Sequence, residues 1–257
     1  MNQAAFRWGR RAAIDLQEVE RLARPEAVED DRRLSQSLPE MIERRVAFLT
    51  QYQNRAYARR YRTLVERTQA AEAEKTPGKS GLAEAVARYL FKLMAYKDEY
   101  EVARLYTDGA FLKQVANEVD GENLRLEFHL APPLLARRDP ETGKPKKMAF
   151  GPWLLSAFGL LAKLKFLRGT PFDPFGRTIE RRTERALVRD YETMLDELLA
   201  RLSPQNHHIA VALAAIPEKI RGFGHVKAWH LQSAKAEEAA LLEQFRAGPA
   251  PALKAAE

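Results

Sequence analysis

The sequence YLFKLMAYKDEYEVARLY, residues 89–106, decides the fold of this chain. Its apolar residues cover more than one face of a helix, which is typical of a helix packed on several sides. We therefore predict a helix from Leu82 to Tyr106 at the centre of the core. The same sequence opens a longer stretch, Tyr89 to Arg182, in which aromatic residues, prolines, glycines and basic pairs are denser than in the flanking segments.

The segment before this helix predicts its antiparallel neighbour. Ser37, with Glu40 three residues later, forms a capping box at the start of a helix. Apolar residues in steps of three and four carry this helix to about Glu74. The turn KTPGKSG, residues 75–81, then closes an antiparallel helical hairpin. The same turn is not a phosphate-binding loop, because the required earlier glycine is missing and a polar helix precedes it.

Two short strands are predicted after the hairpin. Strict alternation in Leu124–Leu130 is the signature of a strand, and Lys147–Phe150 is a second candidate, with a turn at Asp139–Lys144 between them. The fold class is therefore mainly α (α+β), a helical domain with a small antiparallel β-ribbon at about 122–150. His129 lies on the polar side of the first strand, where it is either a structural hydrogen-bonding group or a functional one.

The most hydrophobic segment of the chain follows the ribbon. Trp153–Leu167 predicts a helix that must be buried in the domain or in a partner. The loop Arg168–Arg177, RGTPFDPFGR, contains two prolines and two glycines and is stiff without regular structure. Rigid loops that carry Asp and Arg suit the binding of a partner or a phosphate. Thr178 caps the next helix, which runs to Leu202.

The remaining segments set the domain organisation. A linker with Pro25 and the acidic run at 29–31 separates residues 1–24 from a helical domain at 25–246, and the Ala/Pro-rich tail at 247–257 is expected to be disordered. His207 and His208 are adjacent and cannot point the same way on a helix, so a two-histidine metal site is not predicted. Lys97, Asp98 and Glu99 are either solvated helix charges or part of an active-site rim.

Composition excludes several classes of protein. The chain has no cysteine, which removes disulfides, thiolate metal sites and cysteine-held iron–sulfur clusters. The net charge of +7 suits phosphate-bearing partners, but no nucleic-acid-binding motif accompanies it, so nucleic acid is not the expected ligand. No apolar run approaches eighteen residues and no signal peptide is evident. We expect a cytoplasmic protein without a membrane partner.

Several long motifs resemble one enzyme family, the indolepyruvate ferredoxin oxidoreductases, which are thiamine-dependent 2-oxoacid oxidoreductases. The likeness is to the C-terminal region of that family and covers nearly the whole chain. It is carried by NQAAFRWGRRAA (2–13), YLFKLMAYKDEYEVARLYTDGAFL (89–112), FHLAPPLLARRDPETGKPKKMAFGPWLL (128–155), LLAKLKFLRGTPFDPFGRTIERR (160–182) and IPEKIRGFGHVK (216–227). By this resemblance, residues 1–24 are the end of a preceding gamma-type domain followed by a linker helix.

The resemblance implies an enzyme that oxidatively decarboxylates aryl pyruvates with thiamine diphosphate, magnesium, iron–sulfur clusters, coenzyme A and ferredoxin. This chain lacks the GDG thiamine motif, since its DG pairs are Asp108-Gly109 and Asp120-Gly121, and it lacks cluster-binding cysteines. We therefore expect it to bind none of these cofactors, to have no catalytic or metal-binding residues, and to pair with the thiamine-binding and iron–sulfur portions of the enzyme.

Two roles for such a region are open, together with a third for a chain that acts alone. As a docking module it would use partner contacts at Trp153, Phe172, Asp173, Phe175, His129 and His225. As a coenzyme A lid it would use phosphate contacts at Arg137, Arg138, Lys144, Lys146, Lys147, Arg168 and Arg177. The third alternative is a standalone basic helical protein that binds a phosphate-bearing ligand or nucleic acid.

Overall fold

A computed structural model describes residues 3–23, 34–118, 125–131 and 146–247. The chain divides into two units, residues 1–36 and 37–257. The first unit contains helices α1 (Gln3–Ile14) and α2 (Leu16–Ala23). The predicted linker at Pro25 and residues 29–31, the turn at Asp139–Lys144 and the tail from Gly248 onward lie outside the described residues.

The second unit is mainly helical and has one two-stranded antiparallel sheet, which confirms the predicted fold class. None of the helices in the described part of the chain is long and apolar enough to cross a membrane. The α-helices and strands of this unit are α3 (Leu38–Tyr52), α4 (Arg55–Lys75), α5 (Leu82–Met94), α6 (Glu99–Thr107), α7 (Ala110–Glu118), β1 (Phe128–Leu130), β2 (Met148–Phe150), α8 (Leu154–Lys163), α9 (Ile179–Arg201), α10 (His207–Ala215) and α11 (Gly224–Ala247), with 3₁₀ turns at Leu164–Leu167 and Ile216–Lys219.

The predicted hairpin is present, but its first limb is not one helix. Ser37 caps α3 as expected, by accepting a hydrogen bond from the Glu40 amide. The helix then stops at Tyr52, because Asn54 adopts an extended conformation and its side chain accepts the Tyr57 amide, which starts α4. Asparagine is a strong N-cap residue, so the prediction of one continuous helix to Glu74 was wrong at this residue.

Hydrogen bonds between α4 and α5 fix their antiparallel arrangement. Glu72 accepts the amides of Leu82 and Ala83, and the Tyr61 hydroxyl donates to the Ala87 carbonyl at 2.9 Å. Nearer the start of α4, the Tyr57 hydroxyl donates to the Met94 carbonyl at 3.0 Å.

The central helix is also divided. The prediction of one helix from Leu82 to Tyr106 was wrong because Asp98 caps a new helix, with its carboxylate 2.9 Å from the Glu101 amide. Helix α5 therefore ends at Met94 and α6 begins at Glu99. The buried faces of the two helices consequently belong to different hydrophobic clusters, described next.

The larger cluster, which we call the main core, is built from helices α3, α4, α5, α9, α10 and α11. Its buried tyrosines also make hydrogen bonds. The Tyr52 hydroxyl donates to the Tyr96 carbonyl at 2.9 Å, and the Tyr191 hydroxyl donates to the Ala214 carbonyl at 2.8 Å. Because each hydroxyl has a partner, the rings fill the core without an unsatisfied polar group.

The smaller cluster, which we call the side core, combines α6, α8 and the ribbon. Its buried residues are Ala103, Phe128, Leu154 and Phe158. The strands pair with Phe128 opposite Phe150, and each is shorter than predicted, since Leu124–Leu130 is reduced to β1 and Lys147–Phe150 to β2. Pairing does not extend past Phe150 because the Gly151-Pro152 pair follows it, and proline has no amide hydrogen to donate.

Candidate functional site

One buried carboxylate, that of Asp173, anchors the loop Arg168–Arg177 through hydrogen bonds. Oδ1 of Asp173 accepts hydrogen bonds from the Tyr100 hydroxyl and the Phe175 amide, both at 3.1 Å, and Oδ2 accepts the Gly169 amide at 2.8 Å. Burial, and next the adjacent carboxylate of Asp173, raise the pKa of Tyr100 above its usual value. The phenol therefore stays protonated and continues to donate to Asp173.

Arg168 ties the start of the loop to both cores. Its guanidinium binds the Asp98 carboxylate through two hydrogen bonds, of 2.5 and 2.9 Å, and donates to the Tyr52 carbonyl at 2.6 Å. It also lies over the Tyr52 ring, with its central carbon 3.8 Å from the ring centroid. Burial alone lowers the pKa of Arg168, but the hydrogen bond to Asp98 and the neighbouring phenols raise it above its usual value. The side chain is committed to internal partners.

Two glycines allow the backbone to follow this path. Gly169 has a φ of 76°, a left-handed conformation that other residues rarely adopt. A Cβ on Gly176 would lie 2.5 Å from Oδ2 of Asp173, so only glycine permits the carboxylate to sit there. At the end of the loop Thr178 caps α9, as predicted, through the Arg181 amide.

The same anchoring projects one aromatic side chain outward. Phe172 is 80% exposed, whereas Phe175 packs edge-on against Tyr100 at 5.5 Å between ring centroids. Arg177 is exposed and donates to the Pro171 carbonyl at 3.3 Å. The loop is therefore a shaped projection with Phe172 at its surface, as expected for a contact site on a stiff loop.

Helix α8, which precedes this loop in the sequence, presents a second apolar surface. Leu154 and Phe158 are buried in the side core, while Trp153, Leu160 and Phe166 are 62%, 64% and 63% exposed. We call the exposed set, together with Ala157 and Lys163, the outer face of α8. The predicted helix Trp153–Leu167 was too long at both ends, and its burial within the domain is confined to one side. Clustered apolar exposure of this kind marks interaction surfaces.

The other predicted site residues do not converge on one point. His129 is exposed, with Nε2 3.0 Å from the Glu127 carboxylate, and Lys146 and Lys147 are exposed without an ion-pair partner among the described residues. His225 lies in the first turn of α11, and Arg137, Arg138 and Lys144 are outside the described residues. The coenzyme A prediction therefore stays untested at those three residues, while Arg168 is already engaged by Asp98.

Next to the turn at residues 75–81, the carboxylate of Glu72 takes the place that a bound phosphate would have. Both oxygens of Glu72 accept backbone amides at the start of α5, from Leu82 at 2.7 Å and from Ala83 at 2.9 Å. Nε2 of the buried His207 lies 2.7 Å from the same carboxylate, while His208 is exposed, as its position on the helix requires. The helix N-terminus that a phosphate would occupy is thus filled by a side chain.

The described residues contain no metal-binding cluster. No group of three or more His, Asp or Glu side chains among them is placed to hold a metal ion. The partners of Asp98, Asp173 and Glu72 are structural in each case, being backbone amides, a phenol, a guanidinium and a buried imidazole. The exposed apolar side chains of α8 and of the anchored loop form a candidate contact surface.

Two features of the loop and of α8 were not predicted. The buried pairing of Asp98 with Arg168 joins residues 70 positions apart, and spacing alone gives no sign of it. Leu160 and Phe166 are exposed, although Trp153–Leu167 was predicted to be buried in the domain or in a partner; the apolar sequence gives no sign of which side the domain covers.

Comparison with known proteins places the chain in a family without assigning an activity. No curated protein and no solved structure matches it significantly. Residues 38–240, which include the side core, the anchored loop and most of the main core, match a family of unknown function, DUF6537. This match covers most of the sequence, so the chain belongs to the DUF6537 family of unknown function.

Proposed function

We propose that this chain is the C-terminal, non-cofactor-bearing domain of a cytoplasmic 2-oxoacid ferredoxin oxidoreductase acting on indolepyruvate or related aryl pyruvates. Its role is to dock on the thiamine-binding and iron–sulfur portions of that enzyme, which pass electrons to ferredoxin. The identity of the enzyme is supported by the resemblance of the motifs at 89–112, 128–155, 160–182 and 216–227. The docking role is supported by the surface described above.

One observation carries the docking role: within the described part of the chain, the strongly apolar helix α8 leaves its outer face uncovered. Trp153, Leu160 and Phe166 are exposed on α8 and the 3₁₀ turn after it, and Phe172 projects from the anchored loop that follows. Exposed large apolar side chains at this density favour burial against another protein. The rigid loop lowers the entropy lost on binding, because Arg168 and Asp173 already fix its shape.

The residues of this chain do not fit the cofactors of such an enzyme. Iron–sulfur clusters need cysteine thiolates, and the sequence contains none. Magnesium at a diphosphate needs converging oxygen ligands, and no cluster of three His, Asp or Glu occurs among the described residues. We therefore assign no chemical step to this chain, and its contribution is to assembly.

The docking role is tested by measuring binding to the thiamine-binding portion of an indolepyruvate ferredoxin oxidoreductase, using sedimentation velocity. Phe172→Asp and Leu160→Asp place a charge on the proposed surface and are expected to weaken the complex by at least about tenfold, since a buried unpaired charge is strongly unfavourable. Phe223→Asp is the matched control, because Phe223 is 78% exposed but lies before α11. Equal binding by all three variants would rule out docking through this surface.

A further inference from the structure

The segment that forms the outer face of α8 has no acidic residue for 31 positions. Between Glu141 and Asp173 the charged side chains are all basic: Lys144, Lys146, Lys147, Lys163, Lys165 and Arg168. Such a run is unusual in a chain with 35 acidic residues, and it includes the strongly apolar helix α8. Basic residues and exposed apolar residues are therefore combined in one segment of the chain.

Internal pairing does not use up this charge. Arg168 is neutralised by Asp98, and Lys165 donates its ammonium to the Gln51 carbonyl, where burial lowers its pKa. Lys146, Lys147 and Lys163 are exposed and have no ion-pair partner among the described residues. The exposed carboxylate next to β1, Glu127, is already in contact with His129. Three lysines thus carry unbalanced positive charge along this segment.

We infer that the outer face of α8 binds an apolar protein surface whose rim is acidic. This inference rests on the proposed docking function and adds the chemistry of the partner. Leu160, Phe166 and Trp153 supply the apolar contact, and Lys146, Lys147 and Lys163 select carboxylates at the rim. Opposite charges at a rim raise the association rate and exclude partners of the wrong sign.

The charge distribution argues against a second copy of this chain as the partner. A two-fold symmetric interface brings the same patch of both subunits together, so two positively charged patches without carboxylates would meet. Like charges opposed in this way disfavour the contact. The face therefore fits a different protein, whose surface supplies the carboxylates.

The relief of the helix favours a protein over an anionic membrane. Ser156, Ala157 and Gly159 are small residues between the large ones, and Ser156 and Ala157 are exposed. Small residues between large ones allow side chains of a partner to approach closely, as in the close packing of protein interfaces. A membrane-surface helix instead inserts a broad continuous apolar face, whereas the exposed large side chains Trp153, Leu160 and Phe166 are interrupted by Ser156 and Lys163.

Trp153 makes this inference measurable in the full chain. Phe substitutions at Trp8 and Trp229 leave Trp153 as the single tryptophan, since the chain has three. The probes are an amphipathic helical peptide of Leu and Glu, the same peptide with Lys in place of Glu, and vesicles containing phosphatidylserine. We expect the Leu/Glu peptide to shift Trp153 emission to the blue and to reduce iodide quenching, with little effect from the other two.

Charge-removing variants complete the test. Lys146→Gln, Lys147→Gln and Lys163→Gln together should weaken Leu/Glu peptide binding by about tenfold at low salt, and the difference should shrink near 1 M salt. The control variant carries Arg55→Gln, Arg59→Gln and Arg189→Gln, which are exposed and lie on α4 and α9. An equal loss in both variants would show that net charge, not this face, governs binding.

The remaining outcomes also decide the inference. Equal responses to the Leu/Glu and Leu/Lys peptides, no response to either peptide, or a larger response to vesicles would each overturn it. The thiamine-binding portion is measured in parallel. Failure to bind that protein while the Leu/Glu peptide still responds would reject the proposed function and leave the acidic-partner inference standing. If the thiamine-binding portion binds and its binding is insensitive to salt and to the three lysine substitutions, the proposed function stands and the acidic-partner inference is rejected.

Discussion

The main core and the side core contain similar apolar residues but differ in how completely the helices that form them are buried. In the main core Leu82, Leu90 and Met94 of α5 are fully buried, and helices cover them from several directions. In the side core α8 buries Leu154 and Phe158 against α6 and the ribbon, yet Leu160 on the same helix is 64% exposed. In the main core α5 is covered on several sides, whereas in the side core α8 is covered on one side only.

This difference shows that an apolar sequence does not by itself determine how much of a helix is buried. Helix α5 is apolar on several faces because the domain covers several faces. Helix α8 is also apolar on several faces, but the described part of the chain covers only one of them. The uncovered side is where a partner gains free energy by removing apolar area from water.

The largest predicted effect comes from the junction between the two cores. Asp98→Ala leaves the Arg168 guanidinium buried without its carboxylate, which should cost about 3–5 kcal/mol of unfolding free energy. Urea unfolding followed by far-ultraviolet circular dichroism measures this loss. The double variant Asp98→Ala with Arg168→Ala should be less destabilised than the sum of the two single variants, since it leaves no unpaired charge. Additive losses would mean that the pair does not couple the cores.

Truncating one leucine in each region tests the comparison directly. Leu90→Ala removes a fully buried side chain of the main core and should cost about 2–5 kcal/mol. Leu160→Ala removes an exposed side chain and should change stability by no more than about 0.5 kcal/mol. The same urea measurement compares them. Similar losses in both variants would show that the outer face of α8 is covered within the domain.

The cap of α5 should have an intermediate effect. Glu72→Gln replaces a carboxylate that accepts two amides and contacts His207, and one of its oxygens becomes an amide nitrogen facing a donor. The cost is about 1–3 kcal/mol, typical of a buried hydrogen-bonding group left unsatisfied. His208→Gln is the control, because His208 is exposed on the same helix. Unchanged thermal melting of Glu72→Gln would contradict this assignment.

The smallest effect at ordinary pH concerns the buried tyrosines. Burial raises the pKa of Tyr52, Tyr100 and Tyr191 above the usual value for a phenol. A raised folded-state pKa contributes stability that is present below the unfolded-state pKa of about 10 and is lost as the pH rises above it. Absorbance at 295 nm should therefore show these phenols ionising together with unfolding. Ionisation of all tyrosines near pH 10 with a native circular dichroism spectrum would contradict the burial.

Sequence patterns predicted the fold class because the period of apolar residues shows directly which segments are helical. They did not place the breaks at Asn54 and Asp98, where one short polar side chain captures a backbone amide and restarts a helix. An apolar period continues through such a break, since the residues on both sides still face a core. Cap residues inside a long periodic segment were the signal that would have located the breaks.

The candidate surface was predicted only in part. An irregular loop at Arg168–Arg177 was predicted from its prolines and glycines, and Thr178 was recognised as a cap. The inward orientation of Asp173 and Arg168 depends on Tyr100 and Asp98, which are distant in sequence and meet the loop only in the folded chain. Phe172 and Phe175 look alike in sequence, and only the fold distinguishes the exposed ring from the packed one.

Docking through α8 and the anchored loop is best tested by hydrogen–deuterium exchange of the full chain, with and without the thiamine-binding portion of the proposed oxidoreductase. We predict slower exchange on binding in residues 153–175, which contain α8 and most of the anchored loop, and unchanged exchange in α5 of the main core. A complex that forms while exchange in residues 153–175 stays the same would contradict the assignment of this surface as the docking site.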